Sequence, residues 1–323
     1  MIRSVIRGVG HYLPDRVVPN EWFESFLDTS DEWIVSRSGI ERRHFAAEGQ
    51  PTSDLAIRAA RAALGNAGIE ADAIDAVIVA TSTPDLTFPA TATIVQAGLG
   101  MTCGFAFDVQ AVCAGFIYAL ANADSLIKSG QAERVLVIGA ETFSRIMNWE
   151  DRSTCVLFGD GAGAVVIERA EGDGSNADRG ILATDLHSDG RYREILQVSG
   201  GVSASRTTGH LMMAGKEVFR HAVEKLAQTT TDVLAKAGLT PAEIDRVVPH
   251  QANIRIITRT AQKLGLPMEK VVVTVADHGN TSAASIPLAL SVAAARGELR
   301  TGDLVVTEAI GGGLAWGAVA LRW

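Results

Sequence analysis

The run Gly68-Ile-Glu-Ala-Asp-Ala-Ile-Asp-Ala-Val-Ile-Val-Ala80 has a counterpart 170 residues further on, Gly238-Leu-Thr-Pro-Ala-Glu-Ile-Asp-Arg-Val-Val-Pro-His250. Gly68-Ile69 answers to Gly238-Leu239, Asp75 to Asp245, and Val77 to Val247. The same offset carries Leu120 onto Leu290, and Glu133 and Val135 onto Asp303 and Val305. An offset held without gaps over more than 65 residues marks an internal duplication. Each half reads as one strand-helix-strand unit, with buried parallel strands covered by helices. Two such halves are expected to pair about a pseudo-twofold axis, with loops from both meeting between them. The polar, Gly- and Asp-rich run 171–179 is the best boundary, giving halves of residues 1–172 and 173–323.

Working outward, Val5 to Gly10 reads as a first strand, ended by the turn-like Leu13-Pro14-Asp15. Residues 20–34 read as a short helix with Trp22, Phe23 and Phe26, and 33–43 as a loop bearing Trp33 and three arginines. Thr52 to Ala67 has helical periodicity and stops at Gly68, a C-terminal signal. Ile74 to Ala80 is a near-continuous apolar run, as in a buried parallel strand. A helix is expected over 90–99, and strands over 105–109 and 134–139. Phe158-Gly-Asp-Gly-Ala-Gly-Ala-Val-Val-Ile167 reads as a tight glycine turn feeding a strand. It lacks both GxGxxG and a GK[ST] ending, so it is no nucleotide fingerprint. In the second half, Val271 to Val275 looks strand-like.

Composition narrows the class. With 47% apolar residues, 32 glycines and 9 prolines, the 323-residue chain suits a compact enzyme. Three cysteines, an odd number, argue against a disulfide scaffold and for a reducing compartment. No basic-then-apolar leader opens the chain and no uninterrupted apolar run is long enough to span a bilayer. A cytoplasmic protein without a membrane span is expected. The net charge of −8 excludes general nucleic-acid binding while leaving room for a local basic patch.

Chemistry concentrates at three places. In Asp108-Val-Gln-Ala-Val-Cys-Ala-Gly-Phe-Ile-Tyr-Ala-Leu120, Cys113 stands among small residues just ahead of a helical pattern. A thiol there is expected to ionise, since free N–H groups and the positive end of the helix dipole favour a thiolate. His250 closes the second copy of the core strand, opposite Ala80, and Asn280 lies in the loop that the offset places opposite the approach to Cys113. If the halves pair symmetrically, the three side chains converge. A Cys113 thiolate would attack a thioester and carry the acyl group. Neutral His250, with its proton on Nε2, and the Asn280 amide would hydrogen-bond a second thioester carbonyl and stabilise the enolate left by loss of CO2. The run Ile310-Gly-Gly-Gly313 exposes backbone N–H groups that suit an oxyanion. His44, Asp160 and His187 look ordinary, His278 reads as solvent-facing, and Cys103 and Cys155 as packing residues. A Cys-His-Asn thioester hydrolase is the rival chemistry.

The chain resembles the β-ketoacyl-acyl carrier protein synthase III family, the initiating condensing enzymes of fatty-acid synthesis. The resemblance rests on GVGHYLP, DEWIVSRSGI, VCAGF, VLFGDGAGA, VPHQANIRI, HGNTSAAS and EAIGGGLAWG, in that order across the whole chain. It implies the α/β, duplicated thiolase-like fold and a catalytic triad of Cys113, His250 and Asn280. It further implies an acyl-CoA primer, acetyl by default, and malonyl-acyl carrier protein as extender. CoA enters as substrate, with no tightly bound cofactor and no metal. Trp33, Arg37 and Arg152 would hold the CoA nucleotide, while Gly312 and the Cys113 backbone would form the oxyanion hole. Phe88 would shape the acyl pocket of the partner subunit in a homodimer, with Ile310 lining the pocket from within. Arg255, Arg259 and Lys263 recur four apart and, with Arg220, would dock the acidic carrier protein. Two departures stand out: Ile310 where phenylalanine is common, and His278 where tyrosine is usual.

Overall fold

The computed structural model describes all 323 residues. Two mixed sheets carry the molecule. The first runs in the order Ile2–Tyr12, Asp160–Glu171, Arg134–Thr142, Ala76–Ala80, Phe105–Val109. The second runs Gly180–Ser188, Ala315–Arg322, Leu304–Gly311, Arg246–Pro249. Read in this direction the pairings agree: antiparallel, antiparallel, then parallel in both sheets. The duplication is therefore a repeat of topology as well as of residues.

Local details repeat too. Asp75 accepts from the N–H of Arg134, and Asp245 from the N–H of Leu304, in each case tying the start of one strand to its parallel neighbour. A single helical turn at Val112–Ala114 leads into the helix Gly115–Lys128, and one at Ser282–Ala284 leads into Ser285–Ala295. Both turns are introduced by a non-glycine residue with left-handed backbone, Val112 and Ser282, each at φ 50°. That conformation costs such residues on the order of 1–2 kcal/mol, and the packing around the turns holds it.

The two helices lie back to back between the sheets. Their apolar faces, with Phe116, Leu120, Ile286 and Leu290, meet Val137 and Val305 in the largest core of the molecule. Burying a side chain such as Phe116 contributes roughly 2–3 kcal/mol. Helix Thr52–Ala67 covers the outer face of the first sheet through Leu55, Ala56, Ala59, Ala60 and Ala63, and stops at the left-handed Gly68. Helix Gly215–Lys236 covers the second sheet in the same way. The two turns also cross over. A Cβ on Gly311, in the second sheet, would lie 2.6 Å from the Cys113 nitrogen, and one on Gly139, in the first, 2.2 Å from the Ala283 carbonyl oxygen. Each half's turn is seated on the other half's central strand.

Four expectations need correction. Segment 20–45 is two helices, Glu21–Glu24 and Asp31–Ser38, followed by a strand, Arg42–Phe45, so Trp33 and Arg37 sit on a helix rather than a loop. Ser30 caps that helix by accepting from the Trp33 N–H. The glycines of 159–164 belong mainly to the strand Asp160–Glu171, where Gly163 lets helix Ser285–Ala295 approach to backbone contact. The strand expected over 271–275 is reduced to a single bridge between Val271 and Val247. Its ladder is taken over by the Gln251 side chain, which accepts from the N–H groups of Thr274 and Val275 and donates to the Val272 carbonyl. Helix Val275–His278 follows instead.

Candidate active site

One cavity of about 410 Å³ has Cys113, His250 and Asn280 on its wall, with Trp33, Arg37, Arg255 and Ile310. Cys113 comes from the turn before the first central helix, His250 from the residue after strand Arg246–Pro249, and Asn280 from the loop before the second central helix. The structure thus brings together the three groups that the sequence placed at loop ends in different halves.

Their electrostatics follow from burial. Cys113 is 5% exposed. Burial pushes its thiol up to about 12, against a lowering contact from the Ser282 hydroxyl, and nearby Glu141 pushes it further. This runs against the expectation of a resting thiolate. Desolvation is the largest influence in so closed a site, and it favours the neutral thiol. His250 is also buried, which drives its pKa down to about 3 and keeps the imidazole neutral near pH 7. Asn280 has a fixed orientation. Its Oδ1 accepts from the Ser282 N–H at 2.9 Å, which fixes the amide and leaves its Nδ2 hydrogens able to donate.

The glycine run abuts Cys113. Gly311 can approach the Cys113 backbone only because it lacks a Cβ, and the next residue, Gly312, has an N–H with no backbone partner. Ile310 packs with Ala222 and Leu226 of helix Gly215–Lys236 on the apolar side of the cavity. At the mouth, the guanidinium groups of Arg37 and Arg152 stack on the Trp33 indole, 4.4 and 5.1 Å from the ring centroid. Arg152 is steadied by Asp28. Of the three arginines in 33–43, Arg43 is withdrawn from any ligand. It is fully buried, donates to the Val18 and Val156 carbonyls, and stacks on Phe23.

Helix Ile254–Lys263 runs from the mouth with Arg255, Arg259 and Lys263 exposed. Arg255 stacks on Phe219 at 5.7 Å, and exposed Arg220 lies on the adjoining helix Gly215–Lys236. Lys263 is ion-paired with Glu224 at 2.6 Å, which weakens its claim to the basic face. Phe88 is 83% exposed and lies outside the cavity of its own chain.

His278 is buried rather than solvent-facing. Its Nδ1 has no partner, and burial, with His11 and His44 nearby, holds its pKa down at about 4. Cys155 is buried as expected, but Cys103 is exposed and donates to the Asp72 carbonyl. Sequence reasoning missed Asn253. It caps the basic helix by accepting from the Arg255 N–H and donates to the Arg37 carbonyl, fixing that helix to the aromatic mouth. An asparagine just ahead of an amphipathic run was the available signal. Glu141 was also missed. It is buried, raised to about 7 mainly by that burial, and held by Thr81, Ser82 and Thr83.

A duplicated α/β fold with a buried thiol, a neutral imidazole and a carboxamide on one cavity defines a condensing enzyme of the thiolase-like class. Comparison with known proteins agrees. Residues 107–190 match the family model for 3-oxoacyl-[acyl-carrier-protein] synthase III, and residues 234–323 match the model for its C-terminal part. A β-ketoacyl-[acyl-carrier-protein] synthase III of Ruegeria pomeroyi is 74% identical over 321 residues, covering 99% of each chain. The crystal structure of the synthase III of Aquifex aeolicus superposes with a TM-score of 0.93 at 48% identity, covering 99% of this chain and 100% of the other. A priming β-ketosynthase of the R1128 polyketide pathway superposes with a TM-score of 0.92 at 35% identity, over 99% and 96% of the two chains. The chain belongs to the β-ketoacyl-[acyl-carrier-protein] synthase III family, and it is a condensing acyltransferase of fatty-acid biosynthesis. No helix is long and apolar enough to cross a membrane.

Proposed function

We propose that the enzyme joins an acyl-CoA primer, acetyl by preference, to malonyl-acyl carrier protein, giving a 3-oxoacyl-carrier protein, CO2 and CoA. The observation that carries this reading is the pair of neutral donors opposite the thiol. His250 is kept uncharged, and Asn280 has its oxygen engaged by the Ser282 N–H, leaving its amide hydrogens to donate. Such a pair suits an enolate oxygen, whose charge grows as the carboxylate departs.

In the first half-reaction Cys113 sulfur attacks the primer thioester. Its proton passes to the leaving CoA sulfur, so the exchange begins and ends with one thiol and one thioester. Gly312 and the Cys113 amide hold the tetrahedral oxyanion. The CoA nucleotide lies against Trp33, Arg37 and Arg152, a pairing supported by two cations on an indole face at the mouth. In the second half-reaction the malonyl carbonyl oxygen accepts from His250 and Asn280. Breaking the C–CO2 bond leaves an enolate, whose carbon attacks the acyl-Cys113 carbonyl. The sulfur leaves as thiolate and is reprotonated from solvent. Arg255, with Arg259 and Arg220, receives the acidic carrier protein, and Lys263 contributes least.

A homodimer completes this reading. Phe105–Val109 is an open edge of the first sheet, with the Phe105 and Phe107 rings stacked and Phe105 40% exposed. Pairing edge to edge with a second copy would cover it and carry each exposed Phe88 toward the partner's acyl cavity. We assign the functional halves to residues 1–172 and 173–323.

The test is an assay in which acetyl-, branched- and medium-chain acyl-CoA compete with malonyl-carrier protein present. Preference for acetyl supports the reading, and preference for a longer primer moves the enzyme toward specialised priming. Incubation with acyl-CoA alone should stall at acyl-Cys113, whereas continuous release of free acid would make it a hydrolase.

A further inference from the structure

We propose that Ser285 fixes the tautomer of His250, holding the imidazole proton on Nε2, where it faces the cavity. The inference rests on the reading of His250 as a donor to the extender carbonyl. Ser285 Oγ lies 2.6 Å from His250 Nδ1, and both residues are buried. Distance alone does not say which atom donates, so the hydroxyl's other commitments decide. Its one further partner is the Gln251 N–H, at 3.3 Å, which can only donate. If the hydroxyl also accepted from Nδ1, its own hydrogen would point into a dry core without an acceptor, at a cost of about 1–3 kcal/mol. Donating to Nδ1 satisfies every group and leaves the ring's single proton on Nε2.

The surroundings hold this arrangement. Gln251 is fully buried and spends its side chain on four backbone bonds, accepting from Thr274 and Val275 and donating to the Pro249 and Val272 carbonyls. Its own N–H is thereby aimed at Ser285. Ser285 is the first residue of the second central helix, which the core fixes in place. The duplication supplies an independent sign. His250 and Ser285 correspond, 170 residues earlier, to Ala80 and Gly115, which also adjoin: a Cβ on Gly115 would lie 3.2 Å from the Ala80 Cβ. The contact belongs to the ancestral unit, and the second half has furnished it with an imidazole and a hydroxyl.

A neutral ring has one proton to place. On Nδ1 it would face Ser285, and Nε2 would turn a lone pair toward the developing enolate oxygen. In triad enzymes an imidazole held in the wrong tautomer is costly to turnover. Ser285 is thus a positioning residue acting through His250.

The test combines spectroscopy with half-reaction kinetics. In protein carrying 15N-labelled histidine, the resonances that vanish in His250→Ala should show an unprotonated Nδ1 and a protonated Nε2. A protonated Nδ1 would overturn the proposal. Ser285→Ala should lower kcat for malonyl-thioester decarboxylation and condensation roughly 10- to 100-fold at unchanged KM, with acylation of Cys113 confirming a folded enzyme. Ser285→Cys, a weaker donor of similar shape, should recover part of the loss. If Ser285→Ala matches the unmodified rate while His250→Ala is impaired, the tautomer role fails alone. If His250→Ala itself decarboxylates at full rate, the reading of the site fails instead.

Discussion

The two halves present the same loops to one cavity and have furnished them oppositely. Where the first half has Ala80, the second has His250; where the second has Ala283, the first has Cys113. The first half places a thiol in a turn lined with small residues, and the second places an imidazole and a carboxamide on the same cavity. The two alanines pack in the core on either side of Gly115, so a larger side chain at 80 or 283 would press on the base of the first central helix. Duplication gave two equivalent loop ends, and the residues on them now differ.

Removing either contribution sharpens this contrast. The largest effect is expected from Cys113→Ala, which should abolish the acyl-enzyme and lower condensation by at least about a thousandfold, measured by intact-protein mass spectrometry and product formation. Slow decarboxylation of malonyl-carrier protein should persist, because the donors of the second half remain. Asn280→Asp replaces the donor amide by a carboxylate and should cut condensation by roughly 100- to 1000-fold. Acyl transfer to Cys113 should survive, as a single-turnover assay would show. An equal loss in both half-reactions would erase the division of labour.

The comparison extends to pH. His278 has a folded pKa near 4 against an ordinary value of 6.5. The unfolded chain therefore binds the proton first, and stability falls as pH drops from about 6.5 toward 4. At pH 5 the cost is roughly 2 kcal/mol. His278→Tyr should reduce the drop in Tm between pH 7 and pH 5, and an unchanged difference would show that other groups govern it. On the basic helix Ile254–Lys263, Arg255→Glu should raise the KM for malonyl-carrier protein about tenfold at low salt and leave small malonyl thioesters unaffected. Lys263→Ala should change that KM less than about twofold, since its charge is already engaged by Glu224.

Much of this organisation was legible in the sequence because duplication is a one-dimensional signal. The offset that aligned Asp75 with Asp245 also aligned the turns at Val112 and Ser282, and so placed Cys113, His250 and Asn280 at matching loop ends. Helix Thr52–Ala67 and strand Phe105–Val109 match the sequence reading to the residue, since a glycine stop and a short aromatic-rich run are local facts. What failed depended on contacts distant in the chain. The absent strand at 271–275 reflects a side chain, Gln251, doing the work of a backbone neighbour. The resting state of Cys113 depends on how tightly the second half closes over it, which the residues around it do not reveal. His278 looked exposed because its burial comes from elements carrying His11 and His44.

The crossed seating of the turns has a consequence for how such a protein comes into being. A nascent first half leaves the ribosome with its nucleophile turn lacking a floor, because Gly311 belongs to chain not yet made. Competence then arrives in one late step, with the last strands. The same late step buries Cys113 and so holds its thiol neutral, a restraint that the uncovered turn lacks.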